Sequence, residues 1–230
     1  EIIKGATFDG KQKGYALGSN ARLDDIKNII MGSCMNKFLL RYPTQSINYV
    51  ECHDNHTFYD KALLALPDIK EDERKRRQRL ATSLVILSQG VPFIHNGQEF
   101  YRSKKGVENS YKSMDDINQV DWDLVDQNQR DIEVVKELLR IRKKYDLFRL
   151  TAPSKIRDFV TIHCEESGTI LYQLKDLETQ LLVIFKNNTE KETFTLDGRY
   201  TLIFDGRKRS RRLLSKINVD EIGTYILKRK

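Results

Sequence analysis

Two short apolar runs constrain this chain most: Ser46-Ile47-Asn48-Tyr49-Val50 and Val91-Pro92-Phe93-Ile94-His95. The first, rich in β-branched and aromatic residues, reads as a buried strand, and the second as another short strand. Each passes at once into polar residues and is followed by a helical pattern. Strand, helix, strand, helix is the unit that builds parallel sheets and barrels. Two strands do not make a stable parallel sheet by themselves, so this part of the chain calls for strands that it does not contain.

The helical patterns are clear. Leu23, Ile26, Ile29 and Ile30 recur at helical spacing, which predicts a helix over about 24–31. Pro43 bars its continuation. Residues 71–89 read as a long helix, with Glu71-Asp72-Glu73 at its positive end and Leu80, Leu84, Leu87 and Ser88 on its inward face. Gly90 ends it. A third helix is expected over 131–145. Between these, residues 101–129 form a long polar stretch, of the kind that carries function or stays irregular.

From Thr151 the texture changes. Short alternating segments at 159–163, 170–174, 181–185, 192–196, 200–204 and 225–227 are separated by turn residues such as Asn187-Asn188 and Asp205-Gly206. This reads as a small antiparallel β-sandwich. The fold class is therefore α/β plus all-β, with residues 1–150 as one part and 151–230 as the other.

Charge and cysteines exclude more than they assign. The formal charge of +7 is spread along the chain, 25 Lys and Arg against 22 Asp and Glu to residue 150, and 15 against 11 beyond. Two basic clusters, residues 74–79 and 207–212, are expected to be solvated, the second in a turn-like segment. No nucleic-acid motif accompanies them, so no nucleic-acid partner is expected. No run of 18 apolar residues exists, so no membrane span is expected. The residues from Glu1 lack the pattern of a signal peptide. Cys34, Cys52 and Cys164 form no CxxC pair, which favours free thiols and a cytoplasmic location. No metal-ligand spacing stands out, no cofactor is expected, and no calcium requirement is readable.

The chemistry sits in the polar residues after each strand. Glu51, Cys52, His53, Asp54, Asn55 and His56 follow the first. In β/α folds the C-terminal ends of the strands hold the active site. His95, at the end of the second run, reads as a structural histidine. Glu51 and Glu99 stand near the same mouth without a matching partner. Tyr111 and Trp122 suit either stacking on sugar rings or packing.

Val50-Glu51-Cys52-His53-Asp54-Asn55 resembles the motif at the end of the seventh barrel strand in the α-amylase superfamily, glycoside hydrolase family 13. Asn48 through Thr57 is similar to its type I pullulanase version, in which Ser or Asn often stands at the position of Cys52. Residues 88–100 resemble the eighth strand and its loop. Asn109-Ser110-Tyr111-Lys112-Ser113, with Asp116-Ile117-Asn118-Gln119-Val120-Asp121-Trp122, resembles a loop of the debranching enzymes. The resemblance implies the C-terminal part of a (β/α)8 TIM barrel, strands 7 and 8 with flanking helices, followed by a C-terminal β-sandwich. It implies a retaining hydrolase of α-1,6-glucosidic bonds in pullulan, glycogen or starch. It assigns catalytic roles to Asp54, as third carboxylate, and His53, and glucan contacts to Asn55, Asn109, Tyr111 and Trp122. The expected partners are an α-glucan and the missing N-terminal part of the same enzyme.

One departure goes with the match. The nucleophile Asp and the acid Glu of that family precede the seventh strand, and no G-x-R-x-D motif is found before Val50. The chain alone is therefore expected to be inactive. The alternatives are a part of another α-glucan enzyme of the superfamily, or a non-catalytic glucan-binding module.

Overall fold

The computed structural model describes residues 1–35 and 40–230. Helix α1 (Leu23–Ile30) turns Ile26 and Ile30 inward, as the spacing predicts. Strands β1 (Ile47–Asn48) and β2 (Val91–Pro92) run parallel, with Ile47 opposite Val91. Both are shorter than the apolar runs that contain them. Pro92 has no N–H to extend the ladder. The pairing is closed by Val91 N on Ser46 O at 2.8 Å and Phe93 N on Asn48 O at 2.9 Å.

Helix α2 (Phe58–Ala65) was not expected. Its signal was present: Thr57 caps the helix, its hydroxyl accepting from Asp60 N at 3.1 Å. Helix α3 (Glu71–Leu87) keeps its acidic start. Its second half is buried on nearly all sides, Ala81, Val85 and Ile86 as well as Leu80, Leu84 and Leu87, because it packs against α2 and against strands of the sheet described below.

The basic cluster of α3 is not the solvated face that its charge suggests. Arg74 and Arg77 are buried. Arg77 pairs with Glu73 at 2.7 Å and reaches Ala16 O at 3.2 Å and Asn187 O at 3.1 Å. Arg79 meets Asp131 at 2.5 Å. These guanidiniums tie distant segments of backbone to the helix.

The polar stretch 101–129 contains a 3-10 turn, then α4 (Asp115–Asn118) and α5 (Asp123–Gln127). Helix α6 (Gln129–Lys144) starts two residues before its expected place. Helix α7 (Pro153–Phe159) begins with proline at its first turn, where a missing N–H costs nothing.

Six strands follow: β3 (Val160–Cys164), β4 (Ile170–Lys175), β5 (Gln180–Lys186), β6 (Glu192–Phe204), β7 (Arg209–Val219) and β8 (Gly223–Arg229). They form one sheet in the order β3-β4-β5-β8-β6-β7, antiparallel throughout. Two expected segments merge into the long β6. Strand β7 was missed, because most of its residues are polar or charged. The basic residues 207–212 run into this strand rather than forming only a turn.

Leu84 and Phe58 from the helices share one continuous apolar cluster with Leu147, Phe148, Leu150, Ile156, Tyr172 and Ile226. The other face of the sheet carries a second cluster around Tyr200, Leu202, Ile217 and Val219. Two side chains stitch α3 and the strand ends together. Gln89 Nε2 donates to Leu147 O at 2.7 Å and Tyr172 Oη at 2.9 Å. Arg142 donates to Ile86 O, Ser88 O and Phe148 O at 2.8–2.9 Å and to Gly90 O at 2.5 Å. Burial pulls the pKa of Arg142 down to about 10, so it stays charged at neutral pH. Gly90 sits at φ +102°, and a Cβ there would lie 2.9 Å from Ser46 O, so the approach of β1 to the end of α3 requires glycine.

Candidate functional site

Parallel pairing places the ends of β1 and β2 side by side, so residues 49–57 and 93–101 leave the strands at one edge. Along β1 the side chains alternate. Asn48 and Val50 are buried, whereas Ile47 and Tyr49 are 64% and 53% exposed. On β2 and just beyond, Val91 and Phe93 are 46% and 43% exposed. Tyr49 and Phe93 meet edge to face at 6.0 Å. Four large apolar side chains thus share one open face.

Glu51 anchors the loop that follows. It is buried, accepts from Phe58 N through Oε2 at 2.5 Å, and lies 3.1 Å from His95 Nδ1 through Oε1. The structural reading of His95 fits this position. Glu51 is committed to these two partners and does not face solvent.

The polypeptide between Glu51 and α2 is then held by its backbone. Lys104 Nζ donates to His53 O, and Lys4 Nζ to His56 O at 2.9 Å. His56 Nε2 lies 3.1 Å from Gly106 O. Asp60 on α2 accepts from Ser103 Oγ at 2.5 Å and Lys104 N at 2.7 Å, which locks residues 103–104 beside the loop. Burial, more than any neighbouring charge, lowers the pKa of Lys4 and of Lys104. None of these anchors is legible in the sequence except Glu51, through its place directly after a buried strand.

With the backbone held, His53 and Asp54 project outward. His53 Nε2 lies 3.2 Å from Asp54 Oδ2, and the two side chains are 83% and 57% exposed. Asn55 takes φ +60°, a left-handed conformation that asparagine tolerates better than most residues. Asp54 and Asn55 line a cavity of about 320 Å³ with Tyr49, Cys52 and Lys4. Cys52, His53 and Asp54 bring their ligand atoms within 4.8 Å of one another. They are consecutive residues of one turn and supply three donors, one fewer than the four that close a tetrahedral site.

The second group of expected residues lies elsewhere. Asn118 fastens its loop, accepting from Ser110 Oγ at 2.8 Å and donating to Ser110 O at 2.7 Å and Ser113 O at 3.0 Å. Trp122 is exposed, stands 6.1 Å from Phe100, and lines a groove of about 760 Å³ with Tyr59, Tyr101 and Lys105. Tyr111 is exposed, with Lys112 over its ring. Asn109 precedes the 3-10 turn Ser110–Lys112. The structure brings Asp54 and Asn55 together in one cavity, places Trp122 in another, and puts Asn109 and Tyr111 in neither.

No family model matches the chain. It is 38% identical to the pullulanase of Bacillus subtilis (strain 168) over 99% of its own length and 33% of the relative's. The solved pullulanase of Anoxybacillus sp. LM18-11 superimposes on the whole chain with a TM-score of 0.93 at 38% identity, over 33% of that structure. The type I pullulanase of Bacillus subtilis str. 168, solved with maltose, matches 99% of the chain with a TM-score of 0.94. The Anoxybacillus protein has also been solved with maltotriose and with maltotetraose. The relatives that the chain resembles are pullulanases, a class of glycoside hydrolase.

Within that class, it is pullulanase-related along its whole length and corresponds to the C-terminal portion of those proteins. The chain spans about one third of the length of the pullulanases named here.

Proposed function

We propose that the chain is the C-terminal part of a pullulanase-type debranching enzyme, which hydrolyses α-1,6-glucosidic bonds in an α-glucan with retention. In this reading residues 1–150 supply the last two strands of a (β/α)8 barrel, and residues 151–230 form its C-terminal β-sandwich. The free thiols fit a cytoplasmic location. The observation that carries the proposal is the presentation of His53 and Asp54 at the C-terminal end of β1, on a backbone fixed by buried lysines and Glu51. The open face of Ile47, Tyr49, Val91 and Phe93 supports it, since strands from the rest of a barrel would cover that face. The maltooligosaccharides bound to the Anoxybacillus relative support a glucan as ligand.

Retaining glycosidases pass through an oxocarbenium-like transition state between a carboxylate nucleophile and a carboxylic acid. Asp54 takes neither role here. It accepts hydrogen bonds from sugar hydroxyls and helps distort the ring, while His53 donates to a hydroxyl. Both contacts tighten as positive charge develops. Asn55, Asn109, Tyr111 and Trp122 contact the flanking glucose units, the aromatic rings by stacking. The nucleophile and the proton donor come from residues outside this chain.

The test is reducing-sugar release from pullulan. In an enzyme that carries this chain together with its N-terminal part, Asp54→Asn should lower kcat by about 100-fold or more, with a smaller change in KM. The purified chain alone should release no sugar. Activity of the chain alone, or an unaltered kcat for Asp54→Asn, would overturn the assignment.

A further inference from the structure

Far from the strand ends, the layer between α6 and the sheet opens into a groove of about 880 Å³. Ile141, Ile203 and Leu213 form part of its wall, but its charge is strongly positive. Three of its cations have partners. Arg140 and Arg209 lean on Glu137 at 3.2 and 4.0 Å, and Arg229 on Asp197 at 3.2 Å. Lys144, Arg211, Lys228 and Lys230 form no ion pair among the described residues, and all four line the groove.

The arrangement follows from the fold. Arg209 and Arg211 stand at the start of β7, where its pairing with β6 shifts register between Leu202 and Phe204, and both line the groove. Lys228 lies opposite Thr201 in the sheet, which also lines the groove. Lys144 comes from the last turn of α6. The ammonium groups of Lys144 and Lys228 converge on the ring of Tyr145, 5.2 and 5.6 Å from its centre. Cation–π attraction offsets part of their mutual repulsion. It does not neutralise them.

We propose that this groove binds the phosphate monoester of a phosphorylated sugar, either free or carried on a glucan chain. A phosphate monoester brings nearly two negative charges and three acceptor oxygens, which matches a guanidinium and two ammoniums better than a single carboxylate does. The volume is that of a small-ligand pocket rather than a face for a duplex. Thr201, Ser210 and Glu178 offer hydrogen-bonding groups for hydroxyls beside the cations. The phosphate half of the assignment rests on the groove alone. The sugar half rests on the glucan reading above.

Calorimetric titration of the chain tests it, with glucose 6-phosphate, glucose and inorganic phosphate as ligands, and with a phosphorylated glucan before and after phosphatase treatment. Glucose 6-phosphate or the phosphorylated glucan should bind, glucose should not, and inorganic phosphate should bind more weakly than the phosphorylated ligand. Lys144→Gln with Lys228→Gln should weaken binding at least about tenfold, which is about 1.4 kcal/mol. Binding of the phosphorylated glucan alone identifies the polymer as the source, and binding of glucose 6-phosphate the free ester. Lys144→Gln with Lys228→Gln should leave pullulan hydrolysis by the intact enzyme unchanged, so a failure of the catalytic reading is separable from a failure here. Equal binding of glucose, or unaltered affinity in the double variant, would overturn the proposal.

Discussion

His53 and Asp54 hold their place through the backbone, while their side chains stay in solvent. His53 gives its carbonyl to Lys104, and its ring lies beside Asp54. His53→Ala should therefore change stability by no more than about 0.5 kcal/mol, while the intact enzyme loses activity. Thermal unfolding beside a rate assay checks this pair, and a large fall in melting temperature would assign His53 to the fold instead. Glu192 provides the pH case. Burial pushes its pKa up, but hydrogen bonds from Lys186, Ser167 and Thr169 outweigh burial and leave it below its ordinary 4.5. A carboxylate held in this way adds stability that is full above the unfolded value and is lost as pH falls through the folded one. Glu192→Gln should cost about 2 kcal/mol at neutral pH, and the gap to wild type should narrow as pH drops below 4.5. Urea midpoints between pH 7 and pH 3 measure it; a constant gap would mean that the charge is not what Glu192 contributes.

At the scale of elements, α3 shows what a periodic pattern reports and what it omits. Its apolar positions at Leu80, Leu84 and Leu87 locate the helix and one buried face. The burial of Ala81, Val85 and Ile86 depends on layers that arrive from residues far along the chain. The same holds for its arginines. In sequence they are a charge run. In the fold, Arg77 finds carbonyls 61 and 110 residues away. Arg142 on α6 makes the point sharpest, since one guanidinium serves four carbonyls at the end of α3 and the turn after α6. Arg142→Met leaves those carbonyls without that donor and should cost about 3 kcal/mol. Arg142→Lys should recover part of this, as an ammonium has three donors. Urea denaturation of both variants decides it, and equal losses for the two would place the contribution in packing. Strand β7 was illegible for a related reason. Its apolar residues face inward only where β6 pairs with it, and the run of arginine and lysine hides the alternation.

At the scale of the molecule, the expected division after residue 150 falls where Leu150 and Ile156 enter the cluster that also holds Leu84 and Tyr172. Tyr15 adds a bridge, its hydroxyl lying 2.9 Å from both Gly168 O and Phe185 O. Helices and sheet share one interior, and shared interiors unfold together. Urea unfolding followed by tryptophan fluorescence, from Trp122, and by far-ultraviolet circular dichroism should give coincident transitions. Two separated transitions would mean that residues 1–150 and 151–230 are independent units.

The sequence by itself determined the elements with strong period: α1, α3, α6, the two parallel strands, and most of the antiparallel ones. It also located the His-Asp pair at a strand end, because an apolar run that stops at polar residues marks that end locally. Tertiary structure alone decided the rest. It set which lysines and carboxylates hold the 53–56 backbone, that Asp54 and Trp122 line different hollows, and that cations from α6, β7 and β8 meet in one groove. Periodicity is a property of neighbours within a few residues, whereas a buried hydrogen bond or a charged groove joins groups whose separation in the chain carries no local signal.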